Sequence, residues 1–200
     1  MFTECVERAR AGDEAVERVL FEGESVENVD AAKLEFESVQ FVRCRFAACD
    51  FTRAGFYHTR FAHCDFSNCM FEDSYWKGCG IAGCKGEGTN FSGSILKETA
   101  FSDCALNYAN LGRAVWTDCA LQNCALREAV CSESRFKGLT LHGVNFSGAE
   151  FFKTPLAGLD VTDCAIDGIL VSEPFRELRG LRVTPVQAME LARLLGVKII

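Results

Sequence analysis

The residues of this 200-residue chain that are best suited to chemistry are its 12 cysteines, three histidines and 28 carboxylates. Structural zinc sites are usually built from CxxC pairs, and nucleophilic or metal-dependent hydrolases carry short recognisable motifs. Most of these cysteines instead recur at multiples of five residues, and the chain contains no GxSxG, HExxH or phosphate-binding glycine loop. The sequence therefore predicts no metal site, no cofactor and no catalytic residues.

The charge and composition limit the partners and the compartment. The net charge of −7 argues against direct binding to nucleic acid phosphates. Residues 1–35 carry a net charge of −6, whereas residues 172–200 carry +2. The first thirty residues contain no apolar run that suits a signal peptide or a membrane span. We therefore expect a cytoplasmic protein, in whose reducing environment the cysteines act as small buried apolar groups rather than as disulfides.

A five-residue repeat positions these side chains. From Phe36 to Val171 a large apolar residue occupies nearly every fifth position, and the residue two places earlier is nearly always small. Ten of the 12 cysteines fall in this small column, whereas all three histidines fall at other positions of the quintet. We expect the following aromatic residues to stack in the core: Phe41, Phe46, Phe51, Phe56, Phe61, Phe66, Phe71, Trp76, Phe91, Phe101 and Trp116.

A period of five fits neither a helix nor a straight strand. On an α-helix it would spiral the large residues around the cylinder, and on a strand it would send them alternately to opposite faces. The pattern buries them all only if the chain turns a corner every five residues. Six of the ten cysteines in the small column share one remainder when divided by 20, which favours four sides to each turn. The fold class is therefore all-β, a square β-helix.

The boundaries of this solenoid follow from the limits of the pattern. We expect an N-terminal cap over residues 1–20, with a short helix or irregular segment near 12–18, and about eight coils over 21–183. Five glycines between 78 and 88, with Gly86 at a large-residue position, predict a kink or a distorted coil.

The C-terminal segment 184–200 reads as a helix and a tail. Thr184 suits the N-cap, Pro185 the first helical position and Gly196 the end. A stripe of Ala188, Leu191, Ala192 and Leu195 would cover the open core of the last coil. The apolar residues left over predict a dimer interface. These are Val186, Met189, Val197, Ile199 and Ile200.

The outer surface offers one candidate acidic patch for a partner. Positions 20 residues apart stack on one side of a four-sided coil, so Glu98 lies next to Asp118, and Asp103 shares a neighbouring line with Asp163. An ordinary solvated face is the alternative interpretation of these four residues.

Several quintets resemble a known repeat family. The units Cys-Asp-Phe-Thr-Arg (49–53), Cys-Asp-Phe-Ser-Asn (64–68) and Val-Asn-Phe-Ser-Gly (144–148) are similar to pentapeptide repeats of the A(D/N)LXX type. The resemblance covers about 150 residues and implies a right-handed quadrilateral β-helix. Asp or Asn is replaced at several positions before the large residue, for example by Arg45, Arg60 and Val115.

Within that family, the chain resembles the topoisomerase-interacting group. This group includes the Qnr quinolone-resistance proteins, the mycobacterial fluoroquinolone-resistance protein and immunity proteins against albicidin and microcin B17. The resemblance implies a homodimer that imitates duplex DNA, binds DNA gyrase or topoisomerase IV and confers resistance or self-immunity to a topoisomerase poison. The repeat shows no insertion from 36 to 171, so the members without projecting loops are the closer comparison. The alternative is a scaffold or adaptor that binds another protein.

Overall fold

The five-residue period becomes a square coil of 20 residues in the computed structural model, which describes residues 1–198. Successive coils pair in parallel and in register, so that Phe36 lies opposite Phe56 and Phe41 lies opposite Phe61. Each side of the square contributes one large residue to a common interior. The predicted all-β solenoid with a short C-terminal helix is confirmed.

Two sides of the coil form three-residue strands that stack into long parallel sheets of seven strands each. The first face carries β1 (Val16–Glu17), β4 (Glu35–Glu37), β7 (Gly55–Tyr57), β9 (Tyr75–Lys77), β11 (Ile95–Lys97), β13 (Val115–Thr117) and β15 (Arg135–Lys137). The second face carries β2 (Leu20–Glu22), β5 (Gln40–Val42), β8 (Arg60–Ala62), β10 (Gly80–Ala82), β12 (Ala100–Ser102), β14 (Ala120–Gln122) and β16 (Thr140–His142).

The other two sides are held by shorter contacts. The third face begins with the pair β3 (Ser25–Glu27) and β6 (Arg45–Ala47) and continues as single parallel bridges such as Asp65 with Lys85. The fourth face consists of bridges alone, beginning with Asp30 and Asp50. At most corners the residue two places after the large one has a positive φ, for example 51° at His58. This left-handed conformation turns the chain at the corner, so that the next side of the square can begin.

The interior is a set of stacked rings. Rings of residues 20 apart lie nearly parallel, with centroids 4.8 Å apart for Phe51 and Phe71 and 5.1 Å apart for Phe36 and Phe56. Neighbouring sides meet edge to face, as Phe41 and Phe46 do at 5.5 Å. All eleven residues expected to stack in the core are buried. Each such side chain contributes about 1.5–3 kcal/mol through burial.

The side chains of the small column also donate hydrogen bonds, which the sequence pattern did not predict. The Cys44 thiol donates to the carbonyl of Phe21 at 3.3 Å, and the Cys64 thiol donates to the carbonyl of Phe41 at the same distance. Thr59 makes the equivalent bond to the carbonyl of Phe36 at 3.0 Å. The column therefore combines small size with a donor that satisfies a buried carbonyl of the preceding coil.

The N-terminal end is closed by a helix that lies earlier than expected. Helix α1 spans Phe2–Gly12, and Val16 already pairs with Phe36 in the first sheet. Of the two alternatives for 12–18, the helix is wrong, since only a short irregular link separates α1 from β1, and the parallel ladder begins at Val16 rather than at residue 21. The ring of Phe2 enters the open end of the tube, within 5.2–6.3 Å of five rings. They belong to Phe21, Phe36, Phe41, Phe46 and Phe51.

The glycine-rich segment 78–88 does not distort the coil. Bridges from Asp65 to Lys85 and from Lys85 to Ala105 continue the third face, and the amide of Gly86 donates to the carbonyl of Ala105 at 2.8 Å. A Cβ at Gly86 would lie 2.3 Å from the Phe66 ring and 2.8 Å from Leu106. The prediction of a distorted coil is wrong because these two neighbours fill the space that Gly86 leaves.

The ladder stops on two faces after β15 and β16. On the third and fourth faces it continues, with Ala165 donating to Val144 and Leu170 donating to Ala149, both at 2.9 Å. On the first and second faces no backbone hydrogen bond joins 135–143 to 155–163 in the described chain. Pro155 has no N–H to donate, and the amide of Leu156 instead donates to Glu177. We call this gap the open seam.

Helix α2 (Pro185–Leu194) covers the C-terminal end. The predicted N-cap is confirmed, because Thr184 and Gln187 form a reciprocal capping box. The Gln187 amide also donates to the carbonyls of Val161 and Cys164, at 2.7 and 2.8 Å. These bonds fix the rotation of the helix, so that Leu191 and Leu194 pack on the core.

The predicted covering stripe is therefore only partly correct. Leu191 packs on the core and Ala192 is half-buried, but Ala188 and Leu195 are exposed.

The Phe2 plug predicts a specific loss of stability. Phe2→Ala removes a buried ring in contact with five others, so we expect the free energy of unfolding to fall by about 3–5 kcal/mol. Guanidinium unfolding followed by circular dichroism measures this loss. Thr3→Ala, at the exposed neighbouring position, is the matched control. An unchanged unfolding midpoint for Phe2→Ala would show that the ring does not close the tube.

Thiol reactivity tests the burial of the small column. Eleven cysteines are buried, and Cys5 alone is half-buried. Burial raises the pKa of the Cys79 thiol to about 11 and that of Cys131 to about 12, which keeps both thiols in their unreactive form at pH 8. We expect Ellman's reagent to titrate one thiol quickly in the native protein and all 12 after denaturation. In Cys5→Ser the fast reaction should disappear; several fast thiols there would contradict the structure.

Candidate functional site

The outer surface consists of charge ladders whose spacing the coil sets. Outward residues 20 apart lie one strand spacing from each other, about 4.8 Å. Some ladders pair opposite charges, as Lys153 does with Glu133 at 3.2 Å and Arg53 does with Asp73 at 3.9 Å. Arg113 reaches across to Glu72 at 3.7 Å. The candidate site is thus a rigid array of side chains rather than a pocket.

The structure brings together only part of the predicted acidic patch. All four residues are exposed, and Glu98 and Asp118 occupy successive positions on the corner after the first face. Asp103 and Asp163 lie on the next corner, three coils apart, or about 14 Å at the usual strand spacing. The amide of Asn123, which lies between them, donates to Asp103 at 3.1 Å. The four carboxylates are therefore a compact pair and two separated single charges.

Asp163 is tied to the open seam. Its carboxylate accepts from the backbone amide of Gly143 at 3.2 Å and contacts the His142 ring. Partial desolvation opposes ionisation, but the Gly143 bond and the neighbouring His142 hold the pKa of Asp163 below its usual range. This carboxylate is accordingly engaged within the protein and is less available to a partner than the Glu98–Asp118 pair.

The strongest acidic surface lies at the N-terminal coils. Glu17, Glu35 and Glu37 are exposed on the first face, and Glu27 is exposed on the third; within residues 1–198 none of the four is in an ion pair. The excess of acids in 1–35 is visible in the sequence, but the faces that they occupy were not predicted. Extending the quintet register back to Val16 would assign each of them to a face.

Helix α2 presents apolar side chains outward. Val186, Met189 and Val197 are 65%, 43% and 49% exposed, so three of the five residues predicted for a dimer interface are free on the described surface. The other two, Ile199 and Ile200, lie outside the described residues. The exposed Leu195 adjoins this group and was missed, because the sequence assigned it to the core stripe.

The described residues give no sign of a metal centre or a membrane span. No group of three or more His, Cys, Asp or Glu side chains within residues 1–198 has the geometry to hold a metal ion. His58, His63 and His142 are all exposed. Within the same range, neither helix is long and apolar enough to cross a membrane.

Family models match much of the chain. A model described as "Pentapeptide repeat region" matches residues 58–122, and one described as "Pentapeptide repeats (8 copies)" matches residues 35–74 and 117–151. Together they span 35–151. No curated protein matches the chain.

Solved structures share the fold. Full-length QnrB1, a plasmid-mediated fluoroquinolone resistance protein, is 24% identical, with a TM-score of 0.54, over 92% of this chain and 98% of that chain. A trypsin-treated QnrB1 variant gives 24% identity and a TM-score of 0.53, over 93% of this chain and 98% of that chain. At this identity the similarity establishes the fold.

The His142 contact with Asp163 predicts a pH effect. Removing the imidazole in His142→Ala deletes a favourable interaction with the carboxylate, so the pKa of Asp163 should rise toward its ordinary value of about 3.9. The stability gained from this lowered pKa is present above the unfolded value and is lost as the pH falls through the folded one. Carboxyl-carbon NMR titration measures the change.

Asp30 is the internal control for this titration. The Arg10 side chain lowers its pKa at the opposite end of the rod, and His142→Ala should leave it unaltered. An unchanged titration of Asp163 would show that the histidine does not act on it.

Proposed function

The chain belongs to the pentapeptide repeat family, and we propose that it is a non-catalytic rod that binds a type II topoisomerase, DNA gyrase or topoisomerase IV. In binding, it would confer resistance or self-immunity to a poison of that enzyme. The observation that carries this proposal is the fold shared with QnrB1, a fluoroquinolone resistance protein, over nearly the whole of both chains. The uninterrupted quintet register supports the body of the rod, rather than a projecting loop, as the contact surface.

The physical basis is charge held on a rigid scaffold. A topoisomerase must present cations to duplex DNA, whose charges recur every 1.7 Å or so along the axis. The solenoid holds carboxylates at fixed strand spacings without any cost for ordering them on binding. Exposed acids occur at the N-terminal coils and at the Glu98–Asp118 corner. The mimicry of DNA is therefore local, since basic residues occupy other parts of the same rod.

We also propose that the protein is a homodimer joined through α2. Val186, Met189 and Val197 give the helix an exposed apolar surface. Pairing α2 with its copy would bury this surface in an isologous contact and place two rods end to end. Such an elongated dimer would present acids at both ends of a long particle.

A supercoiling assay tests the proposed activity. We expect the protein, at stoichiometric excess, to inhibit gyrase or to protect it from a fluoroquinolone. The double variant Glu98→Gln/Asp118→Asn should weaken this effect about tenfold, as two surface charges worth about 0.5–1 kcal/mol each are lost. Asp167→Asn removes an exposed acid from the third face and is the matched control. Topoisomerase IV is assayed in parallel by decatenation, and absence of any effect of the wild-type protein on both enzymes would overturn the proposal in favour of a scaffold for another partner.

The dimer is tested by the mass in solution. Val186→Lys together with Met189→Lys places two charges in the proposed contact, so light scattering should show the mass falling by half. Arg193→Gln alters an exposed polar residue of the same helix and should leave the mass unchanged. A wild-type protein that is already monomeric would exclude the interface.

A further inference from the structure

The open seam is a break in an otherwise continuous ladder. Along the first face, each corner amide donates to the next coil, as Ser38 does to Tyr57 at 2.8 Å, and each strand begins with a bond such as Gly55 to Leu34 at 2.9 Å. At β15 the amide of Gly138 and the carbonyl of Ser134 lack the equivalent backbone hydrogen bonds in the described chain. Pro155 stands where the missing donor should be. The edge of β15 is thus an unpaired strand edge next to a proline.

The core is partly uncovered at the same place. The residues that hold the large positions of the earlier coils on these two faces, such as Trp116 and Leu121, are at most 5% exposed. Phe136 and Leu141, one coil further, are only partly buried, as is the intervening Leu139. Behind them lies a cavity of about 30 Å³ with an entirely apolar lining. The seam therefore exposes apolar side chains together with unpaired backbone groups.

Trp116, which borders this cavity, carries a buried polar atom with no partner in the described chain. The indole Nε1 of Trp116 is buried without a hydrogen bond, whereas the indole of Trp76 donates to Ser74 at 2.8 Å. The difference arises because Ala114 stands two residues before Trp116, where Ser74 precedes Trp76. Leaving a buried donor unpaired costs about 1–3 kcal/mol. The core next to the seam thus contains one unpaired donor and is also incompletely closed.

The surface beside the seam is cationic. Lys77, Lys97, Arg135 and Lys137 are exposed on the first face, and none of them takes part in an ion pair within residues 1–198. The other outward residues of these strands are uncharged: Tyr75, Ile95, Val115 and Thr117. The exposed acids Glu98 and Asp118 lie on the adjoining corner, where the amide of Asp118 donates to the carbonyl of Lys137 at 2.8 Å. A surface groove of about 490 Å³ is lined by Glu133, Ser134, Arg135, Lys153 and Pro155, and within it Glu133 pairs with Lys153 at 3.2 Å. An anionic group approaching the edge of β15 would therefore meet unpaired positive charge.

We propose that the open seam is a docking site for an extended acidic polypeptide segment of a partner protein. The segment pairs its main chain with the edge of β15, as a strand added to a sheet. Successive side chains of the bound segment then point to opposite sides of the sheet. Apolar ones cover Phe136 and Leu139, while carboxylates face Arg135 and Lys137. This site lies at the opposite end of the rod from the acidic N-terminal coils, one coil beyond Asp118, and does not depend on the proposed topoisomerase activity.

A nucleic acid strand fits these observations less well. It could satisfy the cations, but it has no main-chain pattern to pair with a strand edge and no aliphatic side chains for the seam. A polypeptide satisfies all three features of the site: the unpaired edge, the apolar opening and the positive charge.

The test uses a fluorescein-labelled peptide of sequence EVEVEVE with the full-length protein. We expect saturable binding by fluorescence anisotropy, reduced at least tenfold by Arg135→Glu/Lys137→Glu. Arg127→Glu removes an exposed cation from the third face and should leave the affinity unchanged. The Pro155→Ala variant restores the missing N–H, so that the seam can close on Ser134, and should also weaken binding.

Two further probes separate the proposed mode from simple charge attraction. The same peptide with alternate backbone nitrogens methylated keeps its charge but cannot pair with β15, and we expect it not to bind. An oligothymidylate of equal charge should compete poorly. The proposal is overturned if EVEVEVE shows no saturable binding, if the methylated peptide binds equally well, or if the oligonucleotide displaces the peptide more effectively than unlabelled EVEVEVE does.

Discussion

In-register parallel stacking of residues 20 apart is the constraint on which the rest of the structure depends. It places ring upon ring, as Phe51 upon Phe71, and thiol or hydroxyl under carbonyl, as Cys64 under Phe41. A shift of one residue would turn every large side chain of a coil out of the core. The same register fixes the outer charges in ladders, so the surface that a partner meets is set by the packing of the interior.

The core is covered in different ways at the two ends of the rod. At the N-terminus one ring, Phe2, fills the end of an aromatic stack and is held there by α1, which Arg10 ties to Asp30 through hydrogen bonds of 2.8–2.9 Å. Toward the C-terminus, the interior mixes rings with aliphatic side chains and contains a small cavity. There α2 is held mainly by the polar contacts of Gln187 and covers the core with only Leu191 and Leu194.

This asymmetry extends to the surface. Unpaired acids gather at the N-terminal coils, and unpaired cations gather on the first face toward the C-terminal end. The net charge of −7 does not show this separation, because it sums the charges of the whole rod. The two ends are several Debye lengths apart, so a partner bound at one end is screened from the charges at the other. The acidic N-terminal coils and the cationic edge of β15 are therefore separate surfaces of the same rod.

The sequence by itself determined the architecture, because a large residue at every fifth position from Phe36 onward can be buried only in a square coil. It also determined the cap of α2, since Thr184, Pro185 and Gln187 act through local backbone geometry. The N-terminal plug, the filling of the space beside Gly86 and the unpaired indole of Trp116 were decided only in three dimensions. Each depends on which side chains lie one coil away. A linear pattern does not show, for example, that the Phe66 ring occupies the space beside Gly86. The open seam is the clearest case: Pro155 shows in the sequence that one donor is missing, but only the tertiary structure decides whether the neighbouring coil closes over the gap or parts from it.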